Sequence, residues 1–287
     1  MPTSMKPILI SLFLLMSAPA SPQEVPCANQ PFGDCNSQDY SSGDLKGWNT
    51  KRVLHPYSAQ VVPVNSLSER DGQVPQSKNV VRFEIRRGDV VSEGFRSEVK
   101  ERYNAEHGAT IRYSFSLFIP KDYPIHEDHM DKNGHMLGCV YGQWHNEPNP
   151  GTNLAREPPF ANYYINGDLQ IYVKGLMAPW EYKSPDHFEA AVRRANDPFD
   201  KGDLVGEIKE FARGSWHYMQ YEVRWLMDPN GFLKAWVDDR LVVDYHGPIG
   251  YADELGTYFK YGVYCKYDVT VPHVVYLGPY LRMTVAR

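Results

Sequence analysis

The sequence lacks an N-glycosylation sequon and any apolar run of membrane-spanning length. Its one long apolar stretch, "ILISLFLLM" at 8–16, is shorter than a spanning helix requires. Only four of the 287 residues are cysteines. We therefore expect no membrane partner and no N-linked glycan.

An excess of basic residues is also lacking. The formal net charge of −5 argues against a general affinity for nucleic acid. It still permits an anionic ligand, because the basic residues of a chain can gather in one groove. We expect no nucleic-acid partner, and we expect a monomer.

The first twenty residues have the parts of a secretory signal. Lys6 supplies a positive charge, the apolar stretch follows, and "APA" at 18–20 is a small-residue cleavage site. This pattern predicts a signal peptide over 1–20, a mature chain that starts at Ser21, and secretion to the extracellular space. The alternative is an uncleaved anchor.

The four cysteines predict one disulfide bond. Cys27 and Cys35 lie close together in a Gly/Asn/Asp-rich segment, and an oxidising compartment favours their pairing. Cys139 has the strand parity of the polar residues in "YGQWH", whereas Cys265 has the parity opposite to Tyr264. If both strands belong to one sheet, these two cysteines lie on opposite faces and cannot bond. We therefore expect two free thiols.

Strand signals recur from Asn79 to the end of the chain. Aromatic residues are abundant, and alternating stretches such as "VVRFEIR" (80–86) and "TIRYSFSLFI" (110–119) are separated by turn signals. About ten to twelve short strands predict an all-β sandwich or barrel rather than βαβ units. One helix is predicted near 185–195, with Ser184 as its N-cap.

The composition divides the chain into three parts. After the signal peptide, residues 21–78 are irregular and rich in Pro, Ser, Gly and Asp, which predicts an arm packed on the main domain. The main domain covers 79–287. Neither an internal repeat nor a further boundary is evident within it.

Three predicted strands carry polar side chains on one face and mostly apolar ones on the other. The polar faces of "FRSEVKER", "YGQWH" and "YFKYGVYCK" hold Arg96, Glu98, Lys100, Tyr141, Gln143, His145, Tyr258, Lys260, Gly262 and Tyr264. If these faces line one concave sheet, they gather guanidinium, ammonium, amide, imidazole and phenol groups in a groove. That combination suits an acidic sugar.

The same stretches resemble a known family. "RSEV", "QWH" and "YFKYGVY" are similar to three motifs of the jelly-roll polysaccharide lyases, which alginate lyases carry as R-S-E-L, Q-[IV]-H and Y-F-K-A-G-V-Y. The text "GSWHYMQYEVRW" and "GFLKAWVDDRLVVDYHGP" resembles more closely the group of heparin lyase I and the fungal glucuronan lyases of polysaccharide lyase family 20. The resemblance covers residues 79–285. It implies a β-jelly roll, a concanavalin-like two-sheet sandwich with a concave groove and few short helices.

The resemblance also implies β-elimination. The enzyme would remove the C5 proton of a uronate, expel the oxygen on C4 and leave a C4–C5 double bond. Arg96 and Gln143 match the positions that neutralise the uronate carboxylate, and His145 can join them. Tyr264 matches the catalytic tyrosine, and Glu98 would orient the arginine.

Four further residues are predicted to bind substrate: Lys260, Tyr258, Lys100 and Tyr141. Lys260 lies four residues from Tyr264 and would hold the carboxylate of a neighbouring sugar. Gly262, between them on the same face, would let the polymer lie against the backbone.

The stereochemistry of the uronate decides which residues would act as base and as acid, but it does not identify the substrate. In glucuronate and mannuronate the C5 proton and O4 leave from the same side, so Tyr264 would serve as base and acid. In guluronate and iduronate they leave from opposite sides, and His145 would abstract the proton while Tyr264 donates one. We expect a secreted lyase acting on β-1,4-glucuronan. The alternatives are an alginate or heparin-type lyase, or a non-catalytic carbohydrate-binding jelly roll.

A jelly-roll glycoside hydrolase is a further rival. Such enzymes need two carboxylates a short distance apart, which the laminarinase-like ones carry as E-x-D on one strand face. None of the strands predicted from Asn79 onward carries that pattern. This difference argues against hydrolysis.

We expect no cofactor for the chemistry. The loop "HEDHMDKNGH" (126–135) is rich in His, Asp and Glu, but its spacing fits no standard zinc pattern and indicates a solvated loop. Some relatives in the resembling family carry a structural calcium. A calcium site therefore remains open, and its ligands are unknown.

Overall fold

A computed structural model describes residue 27 and residues 35–69, 71–92, 94–102, 104–125, 130, 137–147, 157–176, 183–197, 200–251 and 255–286. These residues form short strands almost throughout, and among them lie one α-helix, α1 (Pro185–Asn196), and a 3-10 turn at Val64–Ser66. The strands are β1 (Cys35–Gln38), β2 (Asn49–Arg52), β3 (Ala59–Pro63), β4 (Asp71–Gly72), β5 (Asn79–Ile85), β6 (Val90–Val91), β7 (Gly94–Lys100), β8 (Thr110–Phe118), β9 (Cys139–Asn146), β10 (Phe160–Ile165), β11 (Asp168–Val173), β12 (Asp203–Ile208), β13 (Ser215–Arg224), β14 (Phe232–Val237), β15 (Arg240–His246), β16 (Thr257–Cys265) and β17 (His273–Ala286).

The strands form two sheets. The first has the order β15-β14-β13-β8-β17-β5-β3, with β1 beside β17 and β4 beside β13. The second has the order β12-β11-β10-β9-β16-β7-β2, with β6 beside β7. Neighbours distant in sequence, such as β8 with β17 and β9 with β16, are antiparallel. The predicted jelly-roll sandwich is confirmed.

Aromatic rings fill the space between the two sheets. Phe115 of the first sheet lies 5.6 Å from Phe259 of the second, and Tyr221 lies 5.1 Å from Trp144, measured between ring centroids. All four side chains are fully buried. Because side chains alternate along a strand, these rings leave the residues next to them in sequence to the outer faces of the sheets.

The alternation breaks in β9 at Gly142. Its φ of +88° is a left-handed conformation that favours glycine, and the register between β9 and β10 shifts beside it. Cys139 and Tyr141 therefore face the core, whereas Gln143 and His145 lie on the outer face. The prediction that these four residues share one face is wrong for this reason.

The expectation of two free thiols is wrong for the same reason. Cys139 is directly opposite Cys265 in the β9–β16 register, with their Cα atoms 4.0 Å apart, and a disulfide bond joins them. Regular alternation through Gly142 would instead put these two cysteines on opposite faces of the sheet. The predicted Cys27–Cys35 bond is confirmed.

The segment before β5 contributes strands to both sheets. β2 pairs with β7, and β3 pairs with β5. Trp48 is buried, and its ring stacks on that of Tyr261 at 5.2 Å between centroids. This segment therefore shares the core of the sandwich. The division of the chain at residue 78 stays a prediction.

The predicted helix is present as α1. Ser184 precedes it, and the Ser184 hydroxyl accepts a hydrogen bond from the backbone N–H of His187. The signal peptide and nearly all of the loop 126–135 lie outside the described residues. Within the described part of the chain, no helix combines the length and apolar character needed to cross a membrane.

Candidate active site

Three neighbouring strands, β7, β16 and β9, bring most of the predicted polar residues together on the outer face of the second sheet. The directly opposed pairs are Tyr264–Arg96 and Lys260–Lys100 across β16 and β7, and Lys260–Gln143 and Tyr258–His145 across β16 and β9. Directly opposed side chains of an antiparallel pair have Cβ atoms about 5 Å apart. The residues therefore form one continuous polar patch.

Arg96 lies over the ring of Tyr264. The guanidinium carbon is 4.1 Å from the ring centroid, and Gly94 leaves room for the pair. A Cβ atom at Gly94 would lie 2.5 Å from an Arg96 nitrogen and 2.6 Å from a Tyr264 ring carbon. Burial raises the pKa of the Tyr264 phenol, and the positive charge of Arg96 opposes this increase. The resting phenol is therefore protonated at neutral pH.

A chain of hydrogen bonds joins the remaining polar groups. The Gln143 amide donates to Glu98 Oε1, and the other carboxylate oxygen of Glu98 lies 3.5 Å from an Arg96 nitrogen. Gln143 Oε1 lies 3.0 Å from His145 Nε2. Because an amide oxygen only accepts, His145 Nε2 must carry the proton. Glu98 thus orients both Arg96 and, through Gln143, the ring of His145.

His145 is neutral in this setting. Burial lowers the pKa of His145 well below its ordinary value, and Lys260 and Arg96 lower it further. With its proton on Nε2, the imidazole has an unprotonated Nδ1. A neutral imidazole of this kind can accept a proton at neutral pH.

Lys260 is a buried basic group of this patch. It is 3% exposed, and it takes part in none of the ion pairs found among the described residues. Burial lowers the pKa of Lys260 to about 7; nearby Glu98 raises it, and Arg52 and Arg96 lower it. A desolvated cation beside other cations favours the binding of an anion.

Tyr258 lies between basic and aromatic neighbours. The Lys100 ammonium is 3.6 Å from its ring centroid, and the His145 ring stacks on it at 5.8 Å. Lys100 also forms an ion pair with Glu147. Tyr258 and Lys100 therefore border the patch that contains Lys260.

Two expectations about side-chain positions change. Tyr141 is fully buried in the core cluster, so its predicted place in the groove is wrong. Gly262 is on the polar face, but a Cβ atom there would lie 2.2 Å from the backbone oxygen of Ser97. The close approach of β7 therefore requires this glycine whether or not a sugar lies over it.

Sequence reasoning missed two charged residues beside the patch. Arg52 is the β2 partner of Glu98, and it lowers the pKa of His145 and Lys260. Glu157 raises the pKa of Tyr264 and forms an ion pair with Lys266 at 3.7 Å. Arg52 lies in the segment predicted as an irregular arm, and no motif marks Glu157. Their placement depends on long-range strand pairing.

The described residues offer one group with metal-ligating atoms close together: Cys139, Cys265 and His273. The two cysteines are joined as a disulfide, so they cannot supply thiolate ligands. The open calcium site stays a prediction without assigned ligands.

A carboxylate pair with the spacing of a hydrolase occurs once in the sequence, at Glu69 and Asp71. Asp71 is in β4, which pairs with β13 of the first sheet. Glu69 faces Lys121 at 4.0 Å. The pair therefore lies on the sheet opposite to the polar patch.

The fold and the patch together define a jelly-roll protein with a cationic site built around a tyrosine. A family model described as polysaccharide lyase matches residues 40–278. The chain belongs to the polysaccharide lyase family and is an enzyme of that class. No curated protein matches the chain.

The solved structures similar to the chain include two lyases. The endo-β-1,4-glucuronan lyase of the fungus Trichoderma reesei has 17% sequence identity and a TM-score of 0.59, and the match covers 87% of this chain and 95% of that one. The alginate lyase AlyC3 has 14% identity and a TM-score of 0.50, and the match covers 71% of this chain and 75% of that one. At these identities the likeness shows the shared fold.

Proposed function

We propose that the protein is a secreted lyase that cleaves a uronate-containing polymer, with β-1,4-glucuronan as the favoured substrate, by β-elimination at Tyr264. One observation carries the proposal. A tyrosine phenol lies under a guanidinium group, at 4.1 Å, beside a hydrogen-bonded amide and a neutral imidazole. This set supplies what an elimination next to a carboxylate requires.

The first requirement is neutralisation of the uronate carboxylate. Proton removal from C5 places negative charge on that carboxylate, and a fixed cation stabilises it most in the transition state. Arg96 Nε is buried and has no hydrogen-bond partner among the described residues. Arg96 is therefore assigned to the carboxylate at the cleaved bond. Gln143, already bonded to Glu98, adds its second amide hydrogen.

The second requirement is a proton acceptor at C5 and a proton donor at O4. The protonated phenol of Tyr264 serves directly as the donor. On glucuronate, where both groups leave from one side, Tyr264 must first lose its own proton to solvent, which the adjacent Arg96 favours. The phenolate then takes the C5 proton and passes that proton to O4 as the C4–O4 bond breaks, so that the phenolate is regenerated. His145, at the end of the hydrogen-bonded chain, assists this proton transfer.

A second candidate substrate has support in the same geometry. His145 is neutral and Tyr264 is protonated in the resting site. These are the states needed when the base and the acid act from opposite sides of a guluronate or iduronate ring. Glucuronan remains the favoured substrate because sequence and fold both resemble the glucuronan lyase group.

Extracellular action is part of the proposal. It is supported by the signal-like first twenty residues and by two disulfide bonds, which form in oxidising compartments. The proposed partner is an anionic polysaccharide, bound by a monomer.

A substrate panel tests the proposal. The purified mature protein is incubated with glucuronan, alginate, heparin and pectate, and the ultraviolet absorbance of the unsaturated product is followed. Strongest absorbance with glucuronan is expected. Strongest absorbance with guluronate-rich alginate would transfer the assignment to the second candidate, and no absorbance with any uronate polymer would contradict lyase action on this class.

A further inference from the structure

Arg52 extends the polar patch by one strand, to the edge of the second sheet. It is the last residue of β2 and is directly opposite Glu98 on β7. Directly opposed side chains of a strand pair lie on the same face of the sheet. Val53, the next residue, packs against the core. Because side chains alternate along the chain, Arg52 lies on the outer face with the patch.

The row that begins at Arg52 continues through Glu98 to Gly262 of β16. Since Gly262 has no side chain, the surface of this row is open above β16. Tyr264 lies two strands across and two residues along from Arg52. Their Cα atoms are therefore roughly 12 Å apart, at about 4.8 Å per strand and about 3.3 Å per residue. Arg96 is directly opposite Tyr264, whereas Arg52 is set apart from it, in position for the next unit of a polymer.

The strand that carries Arg52 is anchored in the sandwich. Trp48, immediately before β2, is buried, and its ring stacks on that of Tyr261 at 5.2 Å between centroids. Its backbone oxygen accepts a hydrogen bond from Arg102. The backbone of Arg52 is therefore held beside the patch, although β2 is an edge strand.

The guanidinium group of Arg52 has donors available for a ligand. Arg52 is only partly buried, and it takes part in none of the hydrogen bonds or ion pairs found among the described residues. Both carboxylate oxygens of the facing Glu98 have other neighbours, Gln143 on one and Arg96 on the other. A guanidinium group presents its donors in a planar fork that matches a carboxylate.

The charge of Arg52 acts on residues well inside the patch. Burial is the largest cause of the lowered pKa values of Lys260 and His145, and Arg52 lowers both further. These residues lie on β16 and β9, two and three strands from β2. Because charge interactions weaken with distance, the guanidinium group is inclined over the sheet toward the patch. A carboxylate bound among these basic groups would relieve their mutual repulsion.

We propose that Arg52 is a substrate-binding residue that holds the carboxylate of the uronate next to the one that reacts at Tyr264. It rests on the proposed function, because the ligand is a neighbouring unit of the same polymer. Arg96 serves the carboxylate at the cleaved bond, and Arg52 serves the adjacent one. The site thereby favours a polymer of consecutive uronates over one in which uronates alternate with neutral sugars.

Calorimetry with oligosaccharides of consecutive uronates tests this role. It is done in the Tyr264→Phe background, so that the ligand is not cleaved, with Arg52→Gln as the variant. Arg240→Gln is the matched control, because Arg240 is an exposed arginine on β15, at the edge of the first sheet. Loss of a charge-assisted hydrogen bond, about 1.5–3 kcal/mol, corresponds to a loss of roughly tenfold to a hundredfold in affinity.

Arg52→Gln is expected to show this loss, and the control is expected to show none. The difference from the parent protein should shrink as salt is raised, because salt screens a partly exposed cation, whereas a structural defect would persist. In the protein with Tyr264 intact, Arg52→Gln should raise the half-saturating concentration and leave the turnover number nearly unchanged, since Arg52 does not touch the reacting atoms. Arg52→Lys, which keeps the charge but not the fork, should show a smaller loss and replaces Arg52→Gln if that variant does not fold.

Wild-type affinity in folded Arg52→Gln, a loss shared by the control, or a loss that salt does not change would overturn the role of Arg52 while leaving the proposed lyase activity intact. Binding that depends on Arg52, in a protein whose wild type cleaves no uronate polymer, would contradict only the lyase activity. A protein that binds no uronate oligosaccharide would contradict both.

Discussion

At the scale of single residues, burial sets the charge states of the candidate site. It raises the pKa of Tyr264, lowers that of His145, and lowers that of Lys260 to about 7. In each case burial is the largest cause, and it favours the neutral form. A bound carboxylate shifts Lys260 toward its charged form more than the other two residues, since Lys260 has no ion pair among the described residues.

The lowered pKa of Lys260 predicts that the half-saturating concentration of the polymer depends on pH. The charged form, which binds a carboxylate, is half populated at a pH equal to the pKa, predominates below that pH and declines above it, and a bound anion raises the pKa. Affinity for the polymer should therefore fall as pH rises through about 7. Steady-state kinetics from about pH 6 to about pH 9 measure this. Lys260→Met should bind weakly with no such dependence in that range, and an unchanged pH profile in the variant would contradict the assignment.

Glu98 is predicted to act as a positioning residue. Glu98→Gln keeps the size of the side chain and removes the charge that aligns Arg96 and the Gln143–His145 chain. The turnover number should fall by about tenfold or more, with a smaller change in the half-saturating concentration, since misalignment matters most in the transition state. Glu222→Gln, on the outer face of the first sheet, is the control. A change confined to the half-saturating concentration would show that Glu98 only shapes binding.

At the scale of elements, regular alternation predicted correctly which residues of β7 and β16 lie on the outer face, but it failed in β9. Alternation holds along β16, where Lys260 and Tyr264 lie outward and Phe259 and Cys265 lie inward. In β9 it fails because Gly142 adopts a positive φ. A lone glycine within a strand is compatible with a regular position or with a bulge. The sequence around Gly142 therefore could not decide which face Tyr141 and Cys139 occupy.

The disulfide between β9 and β16 is predicted to hold the site together. It joins Cys265, adjacent to Tyr264, to the strand that carries Gln143 and His145, and it closes a loop of 126 residues. Replacing both cysteines by alanine should cost about 2–5 kcal/mol of unfolding free energy and lower the turnover number. Urea unfolding and activity assays measure these effects.

The second disulfide supplies the control. Cys27 and Cys35 are only 8 residues apart in sequence, so their double replacement should have a smaller effect on stability and little effect on turnover. Equal losses from the two double variants would contradict a positioning role for the Cys139–Cys265 bond.

At the scale of the whole molecule, the sequence predicted the sandwich but not the contribution of its first strands. Alternation, turn signals and three ordered motifs were enough for the fold class and for most of the polar patch. Residues 35–78 have weak local strand patterns, and their pairing with β5, β7, β13 and β17 depends on contacts distant in sequence. Arg52 was missed for the same reason.

A chain that starts at residue 79 tests the role of that segment. It would lose Trp48 from the core and leave an edge of β7 and of β5 unpaired. We expect it to lack a cooperative thermal transition and lyase activity, whereas a chain that starts at Ser21 should have both. A stable, active 79–287 fragment would show that the earlier residues are an accessory arm.

The central claim is elimination through the phenol of Tyr264, and the Tyr264→Phe variant tests it most directly. The change keeps the ring beneath Arg96 and removes only the hydroxyl, so the thermal transition should shift little. Turnover of glucuronan, followed by the ultraviolet absorbance of the unsaturated product, should fall by at least about 10²–10⁴, because proton transfer is lost. Polymer binding should be retained. A folded Tyr264→Phe variant with wild-type turnover would contradict the mechanism.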